Sequence, residues 1–260
     1  MRIADRYEAF LFDLDGVLYR GSEPIPGAAE AVGRLRELGK GLAFVTNNSS
    51  RTPRMVTDHL ASVGIEALDA EVVTSALVTA DLLGDRGAKT AFVIGGEGLR
   101  SALAARGLEL LGGDPANVDV VVVGFDPGVD YAALRTASVL VEKGAALIAS
   151  NGDPSFPAAD GYAWPGAGAI VSAIETTTGS IAEVVGKPHA PLLVAARRAA
   201  GGGHPLLIGD RLDTDIAGAV ELGWDSALVL TGIATRDQVG AGPVEPTYVL
   251  EDLGGLVGPT

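Results

Sequence analysis

Short apolar runs alternate with longer segments of helical period along most of the chain. Residues 9–12, 42–46, 92–94, 118–123, 147–150, 206–208 and 227–230 are mostly Val, Ile, Leu, Ala and Phe. Runs of that length without polar alternation predict strands buried on both faces, as in parallel sheet. Between them, residues 28–38, 53–63, 98–106, 131–142, 191–200 and 215–222 repeat apolar positions at helical spacing. Each helical segment is closed within two residues by a glycine (Gly39, Gly64, Gly107, Gly144, Gly201, Gly223), where a left-handed cap is wanted. Repeated strand–helix–strand units predict an α/β protein with a parallel sheet.

Polar residues are distributed unevenly over this pattern. The strand endings of the outer segments are dense in Asp, Thr and Asn, while those of the middle are not. That asymmetry predicts a discontinuous core, residues 1–84 and 182–260, interrupted by an inserted domain at 85–181. Turn-rich stretches at 84–89 and 178–181 mark the joints, and a long Gly-, Pro- and aromatic-rich loop is expected at 151–168.

Composition narrows the function. The 260 residues hold 19 basic and 33 acidic side chains, a net charge of -14, which argues against nucleic-acid binding because that depends on clustered Lys and Arg. There is no cysteine, which excludes disulfides, thiolate metal sites and a cysteine nucleophile. No apolar run approaches the roughly 18 residues of a membrane span, and Arg2, Asp5, Arg6 and Glu8 interrupt the place of a signal peptide. These features predict a cytoplasmic protein without a membrane partner.

Four segments carry chemistry. Asp13 and Asp15 follow the first strand and precede Gly16, at the carboxyl end where open α/β sheets present ligand sites; alone, the Asp-Gly pair reads equally as a turn. Thr46, Asn47 and Asn48 end the second strand before a helix, an arrangement that suits phosphate but that Ser50 or Thr52 could explain as a simple N-cap. Lys187 stands in Gly186-Lys187-Pro188 as one of four lysines against fifteen arginines. Asp210, Asp213 and Asp215 follow the strand at 206–208, and capping accounts for one of them at most. His59, His189 and His204 lack ligand spacing and read as structural. Carboxylates gathered at strand ends would repel each other without a cation, and an all-oxygen donor set suits Mg²⁺.

DLDGV, TNN, GKP and GDRLDTDI in this order resemble the haloacid dehalogenase superfamily, and the chain is similar over nearly its full length to the 4-nitrophenylphosphatase or NagD-type branch. The resemblance implies a Rossmann-like parallel-sheet core with an inserted α/β cap domain. It implies a phosphatase for small phosphate monoesters of the glycerol phosphate, phosphoglycolate, nucleoside monophosphate or aryl phosphate class. Asp13 would be the nucleophile forming an aspartyl-phosphate, and Asp15 the general acid and then base. Asp13, the Asp15 backbone carbonyl and Asp210 would hold Mg²⁺; Thr46, Asn47, Asn48 and Lys187 would bind the phosphoryl group; Asp215 would orient Lys187 or metal-bound water.

Thirty-one positions separate Asp15 from Thr46, too few for a cap, whereas 141 separate Thr46 from Lys187. The cap therefore falls in the second interval, where Asp153, Tyr162 and Trp164 are candidates to face the leaving group; the two aromatics could equally pack the cap's own core. No basic residue lies between 151 and 168, which disfavours a second anion on the substrate. A small phosphorylated metabolite is the expected partner, and a homodimer is allowed for. Phosphotransfer to an acceptor other than water, or a non-catalytic phosphometabolite-binding module on the same fold, are the alternatives. Gly96-Glu97-Gly98 begins like a dinucleotide fingerprint but has Ser101 in the third glycine's place, and Pro188 excludes a P-loop reading of Gly186-Lys187.

Overall fold

The computed structural model describes residues 2–157 and 162–258, and the chain divides into two compact units. The first comprises Met1–Thr46, Pro53–Val73 and Lys187–Thr260; the second comprises Asn47–Thr52 and Thr74–Gly186. The insertion is thus wider than the expected 85–181. The helix Ser75–Asp85 is one of its elements, so residues 84–85 close a helix instead of joining domains. Segment 47–52, read as core from its place in the chain, belongs to the second unit.

In the first unit a six-stranded sheet runs Tyr248–Leu250, Asp225–Val229, Pro205–Gly209, Ala9–Phe12, Gly41–Thr46, Val72–Thr74. Ala9–Phe12 lies inside it, pairing in parallel with Pro205–Gly209 on one side and Gly41–Thr46 on the other. Every residue of Ala9–Phe12 and Pro205–Gly209 is buried. That burial explains the unbroken apolar runs: helices cover both faces of a parallel sheet, leaving no solvent side for polar alternation. Phe12 stacks between Phe10 and Phe44, with ring centroids 6.5 and 6.2 Å away, and these rings fill the sheet's core.

The second unit holds a five-stranded sheet in the order Glu183–Val184, Ala146–Ala149, Val120–Val123, Thr90–Ile94, Glu109–Leu110, all parallel. Its core packs Ile94, Val121, Val123 and Ala149 against Leu140 of helix Tyr131–Glu142 and Ile174 of helix Ala167–Thr178. The expected loop at 151–168 contains an antiparallel hairpin, Ser155–Pro157 with Ala163–Pro165; its tip, 158–161, lies outside the described residues.

All six predicted cap glycines adopt left-handed backbone. The expected helix at 215–222 departs from prediction: a wide π turn, Leu212–Ile216, precedes a short α-helix, Ala217–Glu221. Among the described residues no helix is long and apolar enough to cross a membrane.

Candidate active site

Chain connectivity at the sheet assembles the site within the first unit. Asp13 directly follows Phe12, and its amide still donates to the Ile208 carbonyl at 2.8 Å, so the nucleophile candidate leaves the sheet while tied to the neighbouring strand. Asp210 directly follows Gly209, the end of that neighbour, and Thr46 ends the strand on the other side. Three adjacent parallel strands thus deliver their first polar residues to one carboxyl-terminal edge, where open α/β sheets place ligands.

Lys187 crosses this edge. Its ammonium donates to Asp13 Oδ1 at 2.5 Å and to Asp215 Oδ1 at 2.7 Å, with the lysine and Asp215 both buried. Asp215 Oδ2 accepts from the Arg211 amide at 3.2 Å, because the wide turn at 212–216 folds that carboxylate back over its own N-terminus. Capping alone therefore does not describe Asp215. Asp210 Oδ2 accepts from the Ile233 amide at 2.7 Å. Carboxylate oxygens of Asp13, Asp210 and Asp215 fall within 4.8 Å of one another and could hold a metal ion.

The electrostatics of the cluster follow from counting charges: three carboxylates face one ammonium. Burial pushes the Asp13 carboxyl well above the usual carboxylate range, with Asp215 and Asp210 adding to the rise and Lys187 opposing it. Burial likewise pushes Asp210 up to about 6, reinforced by Asp215. For Lys187, burial alone would lower the pKa, but Asp13 and Asp215 outweigh it and hold the ammonium above its ordinary range. An excess of buried negative charge with only oxygen donors is the condition a hard divalent cation relieves.

The remaining predicted residues have different settings. Asp15 is exposed and bridges to Tyr19 through its backbone; its side chain is not part of the three-carboxylate cluster. Thr46 and Asn47 are buried, but the Asn47 amide donates to both carboxylate oxygens of Asp153, at 3.2 and 3.1 Å, within the second unit. The Asn47 carbonyl accepts from Ser75 Oγ and from Asn151 Nδ2. Asn48 is exposed and accepts from the Ser50 hydroxyl at 2.6 Å. Tyr162 and Trp164 are 73% and 49% exposed, so neither packs a core; Trp164 meets Phe156 edge-on, and Phe156 meets Phe125.

Sequence reasoning missed Ser75, Ser150 and Asn151, which with Ser49 and Asn47 form a buried polar network in the second unit. The signal available was a run of small polar residues, Ser49-Ser50 and Ser150-Asn151, at two strand ends. Gly98, half of the weak dinucleotide motif, donates its amide to the Ser50 carbonyl at 2.9 Å and packs so close to that segment that a Cβ would meet the Arg51 carbonyl at 2.3 Å, which accounts for the glycine without a nucleotide.

A parallel sheet whose carboxyl-terminal edge gathers three carboxylates around one buried lysine defines a Rossmann-like α/β core with a charged site at that edge. The chain belongs to the haloacid dehalogenase-like hydrolase family, in its NagD-type branch: the model of haloacid dehalogenase-like hydrolases matches residues 10–109, and a HAD-hydrolase-like model matches residues 184–256. It is 38% identical over 250 residues, 95% of each chain, to an acid sugar phosphatase of Staphylococcus epidermidis. A glycerol phosphate phosphatase from Mycobacterium tuberculosis, solved in complex with magnesium, is 36% identical with a TM-score of 0.92, covering 98% of this chain and 78% of that one. NagD from Escherichia coli K-12 is 29% identical with a TM-score of 0.87, covering 95% and 96%.

Proposed function

We propose that the protein is a Mg²⁺-dependent phosphatase that hydrolyses small phosphate monoesters through an aspartyl-phosphate on Asp13. The observation that carries the reading is Lys187 bridging Asp13 and Asp215 beside Asp210, a buried cluster with more carboxylate than cation. The names of the relatives, an acid sugar phosphatase and a glycerol phosphate phosphatase bound to magnesium, support the same reading.

In this mechanism Asp13 attacks phosphorus, its carboxylate oxygen forming the new bond as the P–O bond to the alcohol breaks. Asp15 gives its proton to the departing oxygen, then takes one from the water that hydrolyses the aspartyl-phosphate. Lys187 and Thr46 hold the phosphoryl oxygens, and Asp215 keeps Lys187 charged and aimed. Asp13, the Asp15 carbonyl and Asp210 would hold Mg²⁺, which when bound neutralises phosphate charge as a Lewis acid. Selection of the leaving group resides in the second unit, with Asp153, Tyr162 and Trp164 as its candidate residues, and the site of action is the cytoplasm.

The test is phosphate release from a panel of small esters, with and without EDTA, combined with acid-quench trapping of phosphorylated enzyme. Metal-dependent release with label retained on wild type and absent from Asp13→Asn supports the reading. Full turnover in metal-free protein, or transfer to an added alcohol in place of water, would replace it.

A further inference from the structure

The turn that carries Asp15 and the loop that holds Asp210 are joined by one hydroxyl. Thr231, just beyond the strand Asp225–Val229, donates from Oγ1 to the Gly16 carbonyl at 2.7 Å. The Thr231 carbonyl in turn accepts from Arg20, whose Nε lies 2.8 Å away and whose Nη2 also reaches it. Arg20 belongs to the small hairpin Tyr19–Arg20 with Glu23–Pro24 that follows the Asp15 turn. Gly16 is fixed at its other end as well, its amide donating to the Tyr19 carbonyl at 2.8 Å.

The same loop clamps Asp210. Ile233 donates to its Oδ2, and Ala234 donates to its carbonyl at 3.0 Å. Gly16 and Gly232 press against that carboxylate from two sides: a Cβ on Gly16 would meet Oδ2 at 2.4 Å, and one on Gly232 at 1.9 Å. Gly16 also has φ +81°, backbone that a side chain would strain. Gly16 is therefore seated against Asp210, its amide, in the peptide that follows Asp15, held by Tyr19 and its carbonyl, in the next peptide, latched by Thr231, a residue more than 200 positions away.

We propose that Thr231 is a positioning residue for Asp15: its hydroxyl, braced by Arg20, sets the orientation from which Asp15 protonates the leaving oxygen. This rests on the phosphatase reading above. General-acid help matters in proportion to the basicity of the leaving group. An alkoxide cannot depart without a proton, whereas 4-nitrophenolate can. A latch that merely stabilises the fold would, when cut, lower turnover of every ester alike.

The experiment compares Thr231→Val, which keeps the side chain's volume and deletes the donor, with Thr231→Ser, which restores it. The readout is kcat/KM on 4-nitrophenyl phosphate and on glycerol 3-phosphate, because kcat/KM reports only steps up to formation of the aspartyl-phosphate. Melting curves accompany each variant. The expected result is that T231V loses at least about tenfold more on the glycerol ester than on the nitrophenyl ester, and that T231S recovers most of the difference. Equal losses on the two esters, unchanged values on both, or a T231S variant that melts like wild type yet is as unselective as T231V would overturn the proposal. Failure of wild type to release phosphate from any ester would remove the phosphatase reading, and this assignment with it.

Discussion

Lys187 donates at 2.7 Å to Asp215, a carboxylate with no exposed surface that lies 28 positions further along the chain. Such a pair is costly to leave half-made. Removing the cation leaves the buried Asp215 beside the partly buried Asp13 as mutually repelling acids, and breaking buried pairs by deleting one partner costs about 3–5 kcal/mol. Lys187→Met should therefore lose both activity and stability, with the midpoint of urea unfolding falling accordingly. Unfolding indistinguishable from wild type would mean the carboxylates find another partner or accept protons at little cost.

Asp13→Asn should behave in the opposite way on stability. It removes one of three clustered negative charges at nearly constant volume, so metal-free protein should melt no lower than wild type. Turnover should nevertheless fall by more than about a thousandfold, since an amide cannot attack phosphorus. A variant keeping a tenth of wild-type turnover would exclude Asp13 as the nucleophile.

Metal binding should be linked to pH through Asp210. Its pKa in the metal-free fold is raised from 3.8 to about 6, so ionising it costs stability that is absent below about pH 4 and fully incurred above about pH 6. Two units correspond to ~3 kcal/mol at most. A bound cation offsets that cost only where the carboxylate is ionised. The rise in melting temperature on adding Mg²⁺ should thus be larger at pH 7.5 than at pH 5; an equal rise at both would show that Asp210 is not part of the metal set.

Asp13 and Asp210 were legible because each is the first polar residue after an unbroken apolar strand, Asp13 after Phe12 and Asp210 after Gly209. The helices Ser75–Asp85 and Ala167–Thr178 escaped prediction, since both mix apolar residues with small ones around much of their circumference and border glycine-rich turns. Membership of segment 47–52 in the second unit is invisible locally because it is made by bonds such as Ser150 to Ser49 and Gly98 to Ser50, across roughly fifty to a hundred positions. Thr231 has no motif at all, and its role appears only once the sheet brings two distant loops together.

The last prediction separates packing from selectivity in the second unit. Trp164 is 49% exposed and meets Phe156 edge-on, with centroids 6.3 Å apart. Deleting a ring that already keeps half its surface in water should cost about 1 kcal/mol or less of stability, against 3–5 for a buried aromatic. Asp153 differs, because its carboxylate is held by Asn47 and its backbone carbonyl accepts from Gly168 at 2.9 Å, at the start of helix Ala167–Thr178. Asp153→Ala deletes the carboxylate that the Asn47 amide donates to, so its effect should include a loss of stability that bears on all esters alike, as well as any change in selectivity. Trp164→Ala should leave the common loss small and redistribute kcat/KM among esters by tenfold or more, about 1.4 kcal/mol of discrimination. Measured across nitrophenyl, glycerol and nucleoside monophosphate esters, a uniform response to Trp164→Ala would exclude Trp164 as a leaving-group selector.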